Sequence, residues 1–247
     1  MTLRIAAVGD VHAAPDAQKG LRRGFAHLDD QADVLLLAGD LTRFGHPDEL
    51  SVLLDALDGR VLPKVAVLGN HDYQCDRVPE LVDALRAAGI TLLHGDSVTL
   101  TVNGATVGIA GTPGFGGGFE GASASDFGEP EMKAFIRHTK EMATQLRLAL
   151  AALETDLKVA LLHYSPTPDT LRGERLEIYP FLGSYLLGEA IDAVGADLAL
   201  HGHAHAGLER GQTAGGVPVR NVAQAVIGHA FRVYELDPRP AGAREKV

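Results

Sequence analysis

Five short polar clusters punctuate this chain of 247 residues: "GDVH" (9–12), "GDL" (39–41), "GNHD" (69–72), "LLHYSP" (161–166) and "GHAH" (202–205). Their ligand-type side chains are Asp10, His12, Asp40, Asn70, His163, His203 and His205. Oxygen and imidazole donors of this kind suit divalent manganese, iron, zinc or nickel rather than a thiolate-seeking metal. Seven donors are too many for one ion that keeps an open position, and they suit two ions sharing a bridging carboxylate. Against the charge of two divalent ions, two aspartates and one bridging hydroxide leave about one positive charge. Such a site attracts an anion and holds a nucleophile beside it.

The elements that must carry these clusters are short, nearly continuous apolar runs: "LRIAAV" (3–8), "DVLLLA" (33–38), "KVAVLG" (64–69), "LKVALLH" (157–163) and "ADLALH" (196–201). Runs of this length and uniformity are strands covered on both faces. Segments of helical spacing separate the first three: Leu21, Phe25 and Leu28, then Leu50, Leu53, Leu54 and Leu57, and after them Leu81, Leu85 and Ala88 before Gly89. Asp10, Asp40 and Asn70 follow one another at intervals of 30 residues, one strand–helix unit each time. In open α/β sheets ligands gather beyond the carboxyl ends of strands, so the loops holding these residues should converge.

Further along, "VTLTVNGATVGIAG" (98–111) alternates about Asn103-Gly104 and predicts a hairpin. Residues 130–153 read as one amphipathic helix with Met132, Phe135, Ile136, Thr139, Met142, Leu146, Ala149 and Leu153 on its apolar stripe. A second hairpin, "GLERG" with "GVPVRNVA", and a last strand "FRVYEL" follow. Parallel and antiparallel parts together suggest two packed sheets with helices outside. With no repeat or linker, residues 1–237 read as one domain and 238–247 as a C-terminal tail.

At 46% hydrophobic residues the chain can bury a full core. A formal charge of −10 argues against a generic nucleic-acid binder, which carries a basic surface. Cys75 is the only cysteine, so no intrachain disulfide forms. The start "MTLRIAAVGDVH" lacks the pattern of a secretion signal, and no run reaches the ~20 apolar residues that span a bilayer. The expectation is a cytoplasmic enzyme without a membrane partner, with nucleic acid disfavoured and the oligomeric state open.

The five clusters, in this order across residues 8–205, resemble the calcineurin-like metallophosphoesterase superfamily. That resemblance implies an α/β fold, specifically a four-layer α/β/β/α sandwich with two mixed sheets. It implies one metal on Asp10, His12 and His205, a second on Asn70, His163 and His203, and Asp40 bridging them. It makes His71 the residue beside the metals that protonates a leaving group or donates a hydrogen bond in the transition state, with Asp72 orienting it. The implied cofactors are two divalent ions, manganese or iron foremost, which lower the pKa of a bridging water and neutralise a phosphoryl group under attack. The phosphoprotein phosphatase branch reads GD-x-x-D-R-G and GNHE, whereas this chain has "GDLTRFG" and "GNHD". These forms look closer to small phosphodiesterases of the cyclic-nucleotide type, so the expected substrate is a small phosphoester, diester or monoester, with nucleotides among the candidates. The alternatives are a nuclease, which needs a basic groove, and a non-catalytic scaffold, which needs lost ligands.

Other motifs carry weaker expectations. His201, last in its strand and before Gly202, reads as a structural neighbour of the ligands. Cys75 reads as a spectator thiol, and His27, His46, His94, His138 and His229 as ordinary histidines. "GFGGGF" (114–119) lacks the Lys-Ser/Thr of a P-loop and is expected to be a flexible loop at the site mouth. The segment 164–185 shows no sustained period, which in a compact domain marks a functional loop. Its Arg172 and Arg175 could bind a phosphate and its Tyr179 could stack on a base.

Overall fold

The early apolar runs become parallel strands because both of their faces are covered. In the computed structural model, which describes residues 2–239, β1 (Leu3–Val8), β2 (Val34–Ala38) and β3 (Lys64–Val67) lie in parallel, with Ile5 opposite Val34 and Leu36 opposite Val65. Helices α1 (Gln18–Gly24), α2 (Leu28–Gln31) and α3 (Pro47–Leu57) connect them. α4 (Val78–Ala87) then leads to the parallel strand β4 (Ile90–Leu92). Pro47 opens α3 behind His46, and the Glu49 carboxylate accepts from the His46 N–H at 3.3 Å, closing the helix start from within.

The hairpin follows as β5 (Asp96–Val102) and β6 (Ala105–Thr112). Asn103 and Gly104 have φ of 52° and 84°, the left-handed pair a two-residue type I′ turn requires. A ribbon of β7 (Gly118–Phe119) and β8 (Ala122–Ser123) precedes the long helix α5 (Pro130–Ala151). Then come β9 (Leu157–Leu162), α6 (Tyr179–Leu182), α7 (Tyr185–Asp192) and β10 (Leu198–His201). The order closes with β11 (Arg210–Gln212), β12 (Pro218–Asn221), α8 (Gln224–Ile227) and β13 (Arg232–Leu236).

Two mixed sheets result, ordered β13-β1-β2-β3-β4 and β11-β12-β10-β9-β6-β5. Antiparallel partners stand only at edges: β13 in the first sheet, β5 and β11 in the second. Alternate residues of one strand serve opposite layers. Leu36 of β2 joins Ile5, Val67, Ile109, Val159 and Leu200 between the sheets, while Leu35 and Leu37 join Phe25, Leu53 and Leu85 under the helices. On the far side Ala110, Leu162 and Ala199 meet Leu146 and Leu150 of α5 and Leu187 of α7. This is the α/β/β/α sandwich. Among the described residues no helix is long and apolar enough to cross a membrane.

Some elements differ from the sequence expectation. The first helix breaks at Gly24, where a Cβ would strike Ala230, yet Leu21, Phe25 and Leu28 still share one core. On α5, Met132 is exposed because the stripe meets the sheet only further along. The glycine loop 114–118 is not a mobile lip. Gly117 N–H donates to Pro180 O at 2.7 Å and Gly118 N–H to Gly183 O at 2.8 Å, and Gly116 to Gly118 are buried. The segment 164–185 is largely irregular, with short turns at Asp169–Leu171 and Leu176–Ile178 and the single turn α6. Of the expected C-terminal tail, residues 240–247 lie outside the described residues.

Candidate metal centre

All five clusters lie just beyond the carboxyl ends of β1, β2, β3, β9 and β10, and the two sheets bring these ends together. The chain must turn sharply there. Six non-glycine residues among those described have a positive φ, and four of them are Asp10 (56°), His12 (45°), Asp40 (50°) and His203 (69°). Left-handed backbone at such residues is uncommon and gathers at functional sites. The glycines before them leave room: a Cβ on Gly69 would collide with the Asp40 carboxylate, and one on Gly202 with that of Asp10.

The side chains meet in three overlapping groups whose ligand atoms lie within 4.8 Å of one another: Asp10, His12 and His205; His12, Asp40 and His71; and Asp40, His163 and His203. Asp40 stands in the middle, 1% exposed. Its Oδ1 is 3.4 Å from His163 Nε2, while its Oδ2 is 3.9 Å from His12 Nε2 and 4.0 Å from His71 Nε2. Asp10 accepts the His203 N–H at 2.8 Å and lies 2.8 Å from His205 Nε2.

The donor set fits cations. His163 Nδ1 donates to Ala38 O at 2.9 Å, which leaves Nε2 as a lone pair facing Asn70 Oδ1 at 2.9 Å and Asp40 Oδ1 at 3.4 Å. With that tautomer, electron-pair donors of three side chains converge on one point, an arrangement that a bound cation stabilises. His203 gives its Nε2 proton to Phe181 O at 3.0 Å, so its Nδ1 is the free lone pair. Burial lowers the pKa of His203 to about 4 and keeps it neutral, the form that ligates. Burial alone would raise the Asp10 carboxyl, but hydrogen bonding to His205 and nearby histidine charge bring it below the ordinary value.

His71 and Asp72 are both at the site, with one correction. The His71 imidazole is oriented by the backbone, its Nδ1 donating to Arg43 O at 2.7 Å. Asp72, fully buried, instead accepts from the N–H groups of Gly69 (2.9 Å), Leu41 (3.2 Å) and Thr42 (2.9 Å) and from the Thr42 hydroxyl (2.6 Å). It ties the loops after β2 and β3 together, and its carboxylate bonds these backbone groups and the Thr42 hydroxyl rather than the His71 imidazole. Burial raises its pKa, with those bonds opposing. His201 faces away from the ligands: Nδ1 donates to Gly202 O at 2.7 Å and Nε2 accepts from Thr170 Oγ1 at 2.8 Å. Burial holds it neutral, with a pKa of about 4. His46 serves the start of α3, and Cys75 gives its thiol proton to Gly45 O at 2.8 Å.

The segment 164–185 reaches the site through other residues than expected. Tyr179 is not a stacking platform, because its ring packs with Phe119, Leu171 and Leu182 and its hydroxyl donates to Leu171 O at 3.1 Å. Arg172 is on the surface and holds Asp169 at 2.9 Å, and Arg175 is exposed. The residues that do approach are Tyr164, its ring 4.5 Å from that of His203, and Phe181, through its carbonyl. Phe115 of the glycine loop lies next to Tyr164 at 5.6 Å. Spacing along the chain carries no signal for such a gathering. A groove of about 760 Å³ lies between α4 and β4, lined by Leu68, Val78, Val82 and Leu92, but none of the three ligand groups lines it. Chemistry belongs to the strand ends.

With this geometry in place, comparison with known proteins gives the class. The chain belongs to the calcineurin-like phosphoesterase family, whose profile matches residues 3–207. A protein of Synechococcus sp., named as a probable cyclic nucleotide phosphodiesterase, is 36% identical over 91 residues; the match spans 33% of this chain and 35% of that relative. Among solved structures, the phosphopantetheinyl hydrolase of Mycobacterium tuberculosis superposes with a TM-score of 0.70 at 17% identity, over 95% of this chain and 96% of the other. The anchor in the inner membrane complex of Plasmodium superposes at 0.60 and 14% identity, over 91% and 72%. At these identities the likeness to both structures is one of fold, and a fold alone does not choose a function.

Proposed function

We propose that the protein is a hydrolase of small phosphoesters that works with two divalent ions, manganese or iron foremost and zinc or nickel otherwise. Asp10, His12 and His205 hold one ion, Asn70, His163 and His203 the other, and Asp40 serves both. The observation that carries this reading is the Asp40 carboxylate, whose two oxygens face His163 on one side and His12 with His71 on the other. A single buried carboxylate so placed offsets the repulsion between two cations. When bound, the ions supply Lewis acidity toward a phosphoryl oxygen and an ionised water at neutral pH.

The chain's own residues do the rest. His71 keeps one proton on Nδ1 against Arg43 O, so Nε2 faces the Asp40 side of the site and is the atom that takes up or delivers a proton. From there a protonated imidazole neutralises a departing alkoxide, a contribution of ~10²–10⁴-fold. Asp72 fixes the loops that set His71 and Asp40 against each other, where the His71 N–H donates to Asp40 Oδ1 at 2.8 Å.

The test is a kinetic panel with Mn²⁺ on p-nitrophenyl phosphate, its bis ester, and 2′,3′- and 3′,5′-cyclic nucleotides. Turnover of at least one class, abolished by a chelator, is the expected result. No turnover with any divalent ion would overturn the assignment.

A further inference from the structure

We propose that the rim of aromatic rings beside His203 is a subsite for a planar heteroaromatic ring, a nucleobase carried by the substrate. The inference rests on the phosphoesterase reading and narrows its substrate class. From His203 the rings run to Tyr164 (4.5 Å between centroids), to Phe115 (5.6 Å) and on to Phe135 (5.0 Å), with His138 edge-on to Phe115 at 4.7 Å. Phe135 meets Phe181 at 6.2 Å, and the Phe181 carbonyl returns to His203 Nε2 at 3.0 Å. The path therefore begins and ends on one residue of the candidate centre.

This is not a core. Phe181 is 60% exposed and His138 is exposed, while Phe115, Phe135 and Tyr164 are half-buried. The chain has only eight phenylalanines and five tyrosines, and four of these thirteen rings are gathered at one edge of the site. Exposed apolar surface collected beside a polar cleft marks a binding surface. The rings are also held in place. A side chain on Gly116 would strike Pro180 O and the Phe135 ring, so glycine there lets the loop lie against α6 and seat Phe115 between Phe135 and Tyr164.

The geometry favours a ring over an alkyl chain. The contacts are tilted or edge-on (interplanar angles of 47° to 85°), the arrangements aromatic rings prefer, and the exposed Phe181 and His138 present surface on which one more ring can join them. Stacking of a base on an aromatic residue tolerates different bases and changes affinity by about ten-fold or more. Tyr164 directly follows His163 and lies against His203, so a substituent of a phosphoryl group held on that side meets Tyr164 first. Its ring, rather than Tyr179 or the arginines of the same segment, is then the nearest platform.

The experiment compares esters that differ only by the base or the nucleoside framework bearing it. Metal-loaded wild type, Phe115→Leu and Phe181→Leu are assayed on adenosine 2′,3′-cyclic phosphate against glycerol 1,2-cyclic phosphate, and on AMP against ribose 5-phosphate. The wild type should prefer the base-bearing ester in kcat/KM, and each variant should lower that preference about ten-fold with metal content unchanged. No preference in the wild type, or an equal loss on both esters, overturns the subsite. If the wild type hydrolyses none of these esters, the phosphoesterase reading is decided by the wider panel above and not by this comparison. Calorimetry then still decides the subsite: tighter binding of AMP than of ribose 5-phosphate, weakened in Phe181→Leu, supports it, and equal binding overturns it. Phe181, being mostly exposed, guards against a folding defect at half-buried Phe115.

Discussion

Asp40 and His163 follow strands of different sheets, yet Asp40 Oδ1 lies 3.4 Å from His163 Nε2, with both side chains at most 1% exposed. The candidate centre is therefore also a seam between the two halves of the sandwich. Its geometry depends on how the sheets face each other, and the buried apolar layer between them keeps that distance fixed.

Asp40→Ala should bind neither ion tightly. The carboxylate reaches both halves of the centre, so its removal leaves two cations with less compensation. Elemental analysis of the purified variant should show well under one ion per chain. Two full ions would sink the bridging role.

His71→Ala should keep its ions and lose turnover by ~10²–10⁴-fold, most with poor leaving groups. An activated phenolate needs less proton delivery than an alkoxide. Because His71 also lies in a group of possible ligands with His12 and Asp40, metal content is measured alongside the rates. Loss of an ion would make His71 a ligand instead.

His201→Ala and His203→Ala should part company. His201→Ala keeps both ions but removes the shortest buried partner of Thr170 Oγ1, at 2.8 Å, leaving it Ser165 Oγ and Thr167 O, a loss of about 0.5–1.5 kcal/mol in a urea titration. His203→Ala should lose metal. An ion lost from the His201 variant would show that the cluster had been misassigned.

Metal-free protein should show opposed pH dependences from one pair. The hydrogen bond to Asp10, with nearby carboxylate charge, raises the pKa of His205. A raised histidine stabilises the folded state fully below its unfolded value near 6.5, and that stability is lost as the pH rises through the folded value. A metal must displace the same proton, so its affinity rises over that interval. Between about pH 6 and pH 8, Tm in chelator should fall while metal affinity climbs, and His205→Gln should flatten both. Parallel trends in the wild type would remove His205 from the centre.

Much of this architecture was written along the chain. Doubly buried runs such as "DVLLLA" announce parallel strands by hydrophobicity alone, and Asn103-Gly104 announces its turn by the backbone angles it permits. The polar residues behind those runs, Asp10, Asp40, Asn70, His163, His203 and His205, were visible because a strand end is where a parallel sheet must turn its chain. The tertiary structure alone decided what each neighbour does. It turned His201 inward to Thr170 and His203 outward to the centre, gave Asp72 to three backbone N–H groups rather than to an imidazole, and sent Tyr179 into a small core while Phe115, Phe135, Tyr164 and Phe181 met beside His203. Periodicity assigns a side chain to a face of its own element. Which distant side chain it meets there depends on how two sheets and their loops close over a common core, and no local spacing records that.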